Sequence, residues 1–168
     1  MTRTITPTPE LSAKQLEYFW SKVNKSEGCW EWTGYVNDQG YGRPRFRVGG
    51  KQYFLRAHRM TYEFLAGPIP EGLIIDHRCH NRSCVNPDHL RPVTEKQNIE
   101  NLSGAQTRNI SGVRGVTWHK LSQRWRASVN TGGKSHHVGV FDNIHDAEAA
   151  VIARRLEMFT HNDLDRVA

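Results

Sequence analysis

The spacing of apolar residues predicts two short helices in the first third of the chain. Residues 11–25 and residues 57–65 each carry apolar side chains three or four positions apart, which places them on one helix face. The pair Gly67-Pro68 stops the second helix. The apolar positions are Leu16, Phe19, Trp20 and Val23 in the first helix and Ala57, Met60 and Phe64 in the second.

Apolar residues that alternate with polar ones predict strands around these helices. Residues 29–32 are extended and rich in aromatic side chains, and residues 41–48 and 51–55 form a hairpin around the turn Gly49-Gly50. Every second residue in the first hairpin strand is an arginine, so these side chains share one face. The arginines of this region are Arg43, Arg45 and Arg47, with Arg56 just after the hairpin.

A second hairpin is predicted in the middle of the chain. Residues 73–75 have the apolar run of a short buried strand, and residues 90–93 can pair with it. Thr94 and Gln97 have the Thr-x-x-Gln form of a capping box, so a helix should begin at Thr94 and carry Asn98 in its first turns. The resulting unit is strand, long loop, strand, helix.

A separate module follows a polar linker at residues 103–110. Its residues 113–118, 124–129 and 135–141 read as three short strands, and Asn143 can cap a helix after them. The packing stripe of that helix is predicted to be Ala147, Ala150, Val151 and Leu156. The chain is therefore expected to be α+β, with a disordered N-terminus at residues 1–10 and two modules at residues 11–102 and 111–168.

Composition favours a nucleic-acid partner. The 168 residues can bury one ordinary core or two small ones, and the net charge is +6. Acids are missing from residues 39–62 and 108–141, so the positive charge is clustered. The arginine face of the first hairpin is either a solvated basic surface or a surface that follows DNA phosphates, and we favour the second interpretation.

The cysteine count and the hydropathy of the chain bear on its compartment. The three cysteines are an odd number, and residues 1–9 do not have the apolar core of a secretion signal. The longest apolar run, residues 73–75, is far too short to cross a membrane. We therefore expect reduced thiols and an intracellular, cytoplasmic protein without a membrane partner.

The loop of the second hairpin contains a set of soft metal ligands. Cys79 and Cys84 flank a turn-prone segment, and His89 follows an Asn-Pro-Asp turn, so the three donors can converge on one zinc ion. A structural Zn²⁺ site usually has four protein ligands. Cys29 is either an ordinary core cysteine or the missing fourth ligand, and we favour the ligand.

A second set of groups beside the zinc ligands suits a harder ion. Asp76 and His77 precede the first cysteine of the loop, and Asn98 follows the hairpin. Carboxylate and amide oxygens suit Mg²⁺, while a neutral imidazole can take a proton from water. The competing interpretation is that His77 and Asn98 are ordinary polar residues near a structural zinc.

The pattern Asp-His, Cys-x4-Cys-x4-His-Leu, and an Asn in the following helix resembles the HNH, or ββα-metal, endonucleases and especially their zinc-bearing His-Cys-box relatives. The resemblance spans roughly residues 15–102 and implies a His-Me finger fold. It implies that His77 is the general base and that Asp76 and Asn98 bind a catalytic Mg²⁺ or Mn²⁺. It also implies that the zinc ligands are Cys79, Cys84, His89 and an upstream cysteine, here Cys29. The arginine that steadies the leaving group stays open among Arg43, Arg45 and Arg56.

The second module resembles a different family, on four segments of its sequence. Residues 111–118, 124–127, 138–142 and 146–150 look like the Apetala/ethylene-response-factor type of DNA-binding domain, whose three-stranded sheet lies in the major groove. The resemblance implies core positions for Trp125 and Phe141. It implies groove-facing positions for Arg114, Trp118, Arg124, Arg126 and Lys134.

Together these features predict a Mg²⁺-dependent, zinc-stabilised endonuclease of the HNH homing type, carried by a phage or a mobile element and acting on double-stranded DNA as a monomer or homodimer. The main rival is a zinc-containing DNA-binding regulator that does not cleave, and an RNA-directed protein is a third, disfavoured option. We also expect cleavage and sequence recognition to be separable, with truncation near Ala105 leaving an active nuclease.

Overall fold

The computed structural model describes residues 7–105 and 108–167, and these fall into two compact units, Met1–Thr94 and Glu95–Ala168. Residues 1–6 of the predicted disordered N-terminus lie outside the described residues, as do residues 106 and 107 of the predicted linker. The division between the units precedes the predicted linker. The helix that carries Asn98 therefore belongs to the second unit.

The first unit contains two helices and three antiparallel strand pairs. The pairs are β1 with β2, β3 with β4, and β5 with β6. The elements in order are α1 (Ala13–Ser21), β1 (Val23–Asn24), β2 (Glu31–Trp32), β3 (Arg45–Val48), β4 (Lys51–Phe54), α2 (Ala57–Leu65), β5 (Ile74–His77), a 3₁₀ turn (Pro87–His89) and β6 (Leu90–Val93).

An aromatic core holds the first unit together. Phe19 of α1 packs against Trp32 of β2 with ring centroids 5.2 Å apart, and both side chains are buried. A Cβ on Gly42 would lie 2.7 Å from the Trp32 ring, so only glycine allows the chain to pass at this point. The other buried core residues are Phe46, Leu55, Ala57, Met60 and Val85.

Local signals explain how two of these elements begin and turn. Ser12 caps α1 through a reciprocal capping box with Gln15, which satisfies amides at the start of the helix. Gly49 and Gly50 connect β3 to β4 with φ of 56° and 79°, the paired positive values of a tight hairpin turn. The predicted β3–β4 hairpin is confirmed, but β3 begins at Arg45 instead of Tyr41, and along it the buried Phe46 alternates with exposed arginines.

The β5–β6 hairpin is confirmed, but β5 is longer than its apolar run. The register pairs Asp76 with Arg91 and His77 with Leu90, so both polar residues are part of the strand. Backbone pairing fixes their position because the main chain of both residues belongs to the ladder.

The second unit contains one antiparallel sheet and three helices. The sheet order is β7-β8-β9, and α4 packs on all three strands. Its elements are α3 (Glu95–Glu100), β7 (Val116–His119), β8 (Arg124–Thr131), β9 (Lys134–Phe141), α4 (Ile144–Met158) and α5 (Asp163–Val167). The buried core is Val116, Ala127, Val129, Ala147, Val151 and Phe159.

Three details of the second unit differ from the sequence prediction. Leu156 was predicted to pack and is exposed, whereas the neighbouring Arg155 is buried at 7% exposure. Asp165 of α5 pairs with the guanidinium, which compensates the charge and makes its burial possible. Helix α5 was not predicted, and β7 begins at Val116, three residues later than expected.

Within residues 7–105 and 108–167, none of the helices has the length and apolar character needed to cross a membrane.

Candidate active site and metal centre

Four potential metal ligands converge at the β5–β6 loop. One donor atom from each of Cys29, Cys79, Cys84 and His89 lies within 4.8 Å of all the others. His89 Nδ1 is 3.5 Å from Cys29 Sγ and 3.6 Å from Cys84 Sγ. Tetrahedral zinc with bonds of about 2.3 Å to sulfur and about 2.0 Å to nitrogen would separate these atoms by about 3.5 Å. The donor set and its spacing therefore fit Zn²⁺.

Long-range backbone pairing brings Cys29 to this cluster. Trp32 N donates to Ser83 O at 3.1 Å, and Val85 N donates to Trp30 O at 2.8 Å. Asn86 adds a side-chain hydrogen bond from Nδ2 to Gly28 O at 2.7 Å. The segment that begins at Cys29 thus runs beside the loop that carries Cys84.

Hydrogen bonds also order the loop itself. Glu31 Oε1 accepts from Asn81 Nδ2 at 2.6 Å, and Glu31 Oε2 accepts from Ser83 Oγ at 2.5 Å. Asn86 Oδ1 accepts from Asp88 N at 3.1 Å and caps the short turn that presents His89. These contacts hold the donors in place and reduce the entropy that would be lost on metal binding.

Two thiols of the cluster, Cys79 and Cys84, are hard to ionise without a cation. Burial raises the pKa of Cys84 to about 12, and the neighbouring thiols Cys79 and Cys29 add to this effect. Burial also raises the pKa of Cys79. A bound divalent cation would stabilise the thiolates and release their protons, so metal binding at this cluster is expected to depend on pH.

His77 is oriented by the same loop. Its Nε2 lies 3.1 Å from the carbonyl oxygen of Cys84, and its side chain is buried. Because a carbonyl only accepts, this hydrogen bond requires the proton on Nε2 and gives Nδ1 the lone pair. Burial lowers the pKa of His77 to about 4, although the Cys84 carbonyl and Asp76 act in the opposite direction, so the ring is neutral at physiological pH.

Asp76 is held from the opposite strand. Arg91 Nε and Nη2 lie 3.1 Å and 3.0 Å from Asp76 Oδ2, as the β5–β6 register requires. The carboxylate is 7% exposed and is therefore a buried, oriented oxygen donor. Sequence reasoning missed Arg91, and the signal that could have found it is its position opposite Asp76 in the predicted hairpin.

The structure adds His58 and Tyr41 to the surroundings of His77. The His58 and His77 rings have centroids 4.6 Å apart, and Tyr41 lies 5.6 Å and 5.9 Å from them. Burial lowers the pKa of His58 well below its ordinary value, and the nearby His77 and Arg56 charges act in the same direction. The sequence alone has no signal for this role of His58, because its contact with His77 depends on tertiary packing.

Asn98 lies half-buried in α3 of the second unit. Arg45 and Arg47 are exposed on β3, while the Arg56 guanidinium lies 5.5 Å from the centroid of the Tyr41 ring. Arg43 is half-buried.

The sheet residues with predicted groove-facing roles divide into two groups. Trp118, Arg126 and Lys134 are exposed. Arg124 forms a surface ion pair with Asp142 at 2.6 Å, and the half-buried Arg114 is directed to backbone carbonyls of its own unit.

The part of the chain that carries the β5–β6 hairpin and most of the four-donor cluster matches a known protein family. Residues 55–100 match the HNH endonuclease family model. The chain is also 36% identical to Protein 3.8 of Escherichia phage T7 over 93 residues, which are 54% of this chain and 76% of that protein. The chain belongs to the HNH endonuclease family. The matched range includes Asp76, His77 and Asn98 together with three of the four cluster residues.

Other relatives of this HNH protein match the chain over only part of their own length. Protein 7.7 of Escherichia phage T7 is 45% identical over 76 residues, which are 45% of this chain and 55% of the relative. The DNA endonuclease I-HmuI of Bacillus phage SP01 is 35% identical over 76 residues, which are 45% and 44% of the two chains. The chain thus spans about half the length of these two relatives. No solved structure matches.

The comparisons confirm the nuclease family and its phage relatives. The family match ends at residue 100 and gives no support to the Apetala-type resemblance of residues 111–168.

Proposed function

We propose that this chain is a Mg²⁺-dependent phage DNA endonuclease of the homing type whose first unit is stabilised by Zn²⁺. The observation that supports the proposal is that Cys84 contributes both to the four-donor cluster and to the orientation of His77. Its thiol belongs to the four-donor cluster, and its carbonyl oxygen accepts the hydrogen bond that orients His77. A structural ion at the cluster would therefore also fix the base.

His77 is proposed as the general base, with Nδ1 as the atom that takes the proton from the attacking water. Its neutral ring can accept a proton, and the Cys84 carbonyl fixes both the tautomer and the direction of the ring. The pKa of about 4 already includes the raising effect of the donation from Nε2 to the Cys84 carbonyl, so without this hydrogen bond His77 would be a still weaker base.

Asp76 and Asn98 are proposed as the protein ligands of Mg²⁺ or Mn²⁺. Their carboxylate and amide oxygens are the hard donors that these ions prefer, and one or two such ligands are enough because Mg²⁺ retains several waters. A bound Mg²⁺ would neutralise charge on the scissile phosphate and the leaving oxygen. Arg91 holds Asp76 in a single orientation for this role.

DNA contacts are proposed for both units. The exposed Arg45 and Arg47 are proposed to contact DNA phosphates near the cleavage site. One of Arg43, Arg45 and Arg56 is proposed to stabilise the leaving group. The three-stranded sheet with one helix packed on it has the architecture that the Apetala-type resemblance implies. We propose base or phosphate contacts for Trp118, Arg124, Arg126 and Lys134 on this sheet.

The assembly and the setting of the reaction are also proposals. A monomer with one site would nick DNA, whereas a two-fold homodimer could cut both strands of a near-palindrome. The HNH endonuclease match and the relative named a DNA endonuclease favour double-stranded DNA as the substrate, and the phage relatives favour an infected bacterial cell as the setting.

Cleavage of supercoiled plasmid by the His77→Ala variant tests the proposal. Removing the general base should lower the single-turnover rate by about two to four orders of magnitude, with Zn²⁺ content and DNA affinity retained. His145→Ala is the matched control, because His145 is exposed on α4, and it should cut like the wild type.

Varying the added metal ion in the same cleavage assay distinguishes a nuclease from a DNA-binding regulator that does not cleave. Wild-type cleavage should require added Mg²⁺ or Mn²⁺ and should be absent when neither is added, in protein whose zinc content is unchanged. A wild type that binds DNA without cutting in any divalent metal would identify a DNA-binding regulator instead. A tenfold or smaller loss in His77→Ala would assign water activation to another group.

A further inference from the structure

Helix α3 is too short to be stable by itself. It contains only Glu95–Glu100, and isolated helices below about 12–15 residues are marginal in water. Asn98 lies within it, so its side-chain position depends on whatever holds α3. The contacts of this helix within the second unit are therefore part of how Asn98 is presented.

Arg114 caps the C-terminal end of α3. Its Nη2 donates to Ile99 O at 2.9 Å, and its Nη1 donates to Glu100 O at 3.0 Å and to Leu102 O at 2.7 Å. The last carbonyls of a helix have no partner within the helix, and the negative end of its dipole attracts a cation. One guanidinium thus satisfies three carbonyls at the end of the helix.

A second set of contacts ties the same helix end to the segment between α4 and α5. Glu100 is 2% exposed, and its Oε2 accepts from Thr160 N at 3.0 Å and from Thr160 Oγ1 at 3.1 Å. Asn101 Oδ1 accepts from Asp163 N at 3.1 Å. A buried carboxylate with these partners resists displacement because moving it would leave the charge desolvated and unpaired.

Arg155 links this helix end to the core of the unit. Its Nε and Nη2 bind Asp165 at 2.6 Å and 2.7 Å, and its Nη1 donates to Arg114 O at 2.8 Å. Arg155 therefore fixes the backbone of Arg114, whose side chain fixes α3. The contacts form a continuous chain from α4 through Arg114 to the helix that carries Asn98.

We propose that Arg114 is a positioning residue that holds Asn98 in place, and that the sheet-bearing unit is thereby part of the nuclease machinery. This inference rests on the proposed function, in which Asn98 is a ligand of the catalytic ion. It assigns Arg114 a role other than base reading. It also predicts that truncation near Ala105 removes the support of α3 and abolishes cleavage, contrary to the separability expected from sequence.

Segment-resolved hydrogen exchange on the full chain tests the positioning without requiring activity. Arg114→Ala should speed exchange over residues 95–102 by about 10- to 100-fold, and Arg114→Lys should restore part of the protection because it retains the charge without the fork. Arg154→Ala is the matched control, because Arg154 lies on α4 in a surface pair with Glu157. Its exchange should equal that of the wild type.

The dependence of cleavage on Mg²⁺ provides the second measurement. At saturating DNA, Arg114→Ala should need about 10- to 100-fold more Mg²⁺ for half-maximal rate, the usual effect of losing an outer partner of a metal ligand. DNA affinity should stay within about threefold of the wild type, because no phosphate or base contact is removed in this proposal.

Three results would overturn the positioning role. The first is unchanged exchange over residues 95–102 in Arg114→Ala. The second is equally faster exchange over the whole second unit in both Arg114 variants, because Arg114 would then stabilise the unit without a specific effect on α3. The third is weakened, less selective DNA binding with unchanged Mg²⁺ dependence, which would make Arg114 a base reader. A wild type without cleavage would refute the proposed function and leave the exchange test valid.

Discussion

The two units of this chain stabilise their buried polar groups by different means. In the first unit, three thiols and an imidazole converge at distances that suit a bound cation. In the second unit, Arg155 binds Asp165, and the buried Glu100 accepts hydrogen bonds from Thr160. Small domains bury a smaller fraction of their surface than large ones, so such additions matter more to their stability. The first unit also has a partly buried ion pair, Asp76 with Arg91, but its thiol cluster is expected to depend on an external ion, whereas the second unit relies on its own charges.

This difference predicts different sensitivities. Chelators and thiol oxidation should act on the first unit, because its donors are arranged for a metal. Loss of a single charge, or strong acid, should act on the second, because each of its buried ions has a protein partner. Variants in one unit can therefore use the other as an internal reference.

The largest expected effect is the loss of the first unit in Cys84→Ser. Structural Zn²⁺ contributes an apparent ~10–16 kcal/mol in zinc-finger peptides, which is as large as the whole stability of most small domains. Hydrogen exchange should therefore show α1, α2 and the β5–β6 hairpin unprotected, with zinc content by mass spectrometry reduced. Strands β7 to β9 should keep their protection.

Two results of the same experiment would contradict the expected difference between the two units. A Cys84→Ser protein that keeps a protected β5–β6 hairpin without bound zinc would mean that the aromatic core around Phe19 and Trp32 is sufficient. Equal loss of protection in both units would mean that they fold as one cooperative body.

A smaller effect is expected from Arg155→Met in the second unit. The side chains of Arg155 and Asp165 are 8% and 13% exposed, and removing one member of a buried pair typically costs about 3–5 kcal/mol. Protection of β8 and α4 should fall while the zinc content stays unchanged. Arg154→Met on the same helix is the control, because its partner Glu157 is exposed, and it should stay within about 0.5 kcal/mol of the wild type.

The double variant Arg155→Met with Asp165→Leu sharpens this prediction. Replacing both partners by apolar residues removes the unpaired carboxylate and should recover much of the lost stability. A double variant as unstable as Arg155→Met would show that the bond from Arg155 Nη1 to Arg114 O, rather than the ion pair, is the main contribution.

The smallest effect is expected from Asp165→Asn, and it should depend on pH. Burial alone would raise the pKa of Asp165, but the hydrogen bonds and charge of Arg155 outweigh it and hold the pKa below the ordinary 3.8. The charged hydrogen bonds should contribute about 1–3 kcal/mol at pH 7.

The sign of the pH dependence follows from the lowered pKa. Below pH 4 the unfolded state binds the proton first, so the contribution is complete above the unfolded pKa and is lost as pH falls through the folded one. The difference in unfolding free energy between wild type and Asp165→Asn should thus be constant from pH 5 to 7 and shrink near pH 3. Urea titration followed by the NMR signals of Val116 and Ala127 measures it. A difference that grows in acid would contradict the assignment.

Much of the candidate site was predictable because it is local in sequence. Cys79, Cys84 and His89 lie within one loop, and turns of a few residues decide their spacing. The strand that ends in Asp76-His77 also follows from a short apolar run and its hairpin partner. Local hydrogen bonds and side-chain alternation control both features, so the sequence carries their signal.

The sequence by itself thus determined the spacing of Cys79, Cys84 and His89, most helices and strands, and the position of Asp76 and His77 at the end of β5. Tertiary structure decided that Cys29 reaches His89 across 60 residues, that His58 meets His77, and that Arg114 turns its guanidinium to α3. The sequence around a cysteine, histidine or arginine is the same whether its side chain is free or bound to a partner. Only distant partners change its solvation and charge, and those partners meet through chain folding.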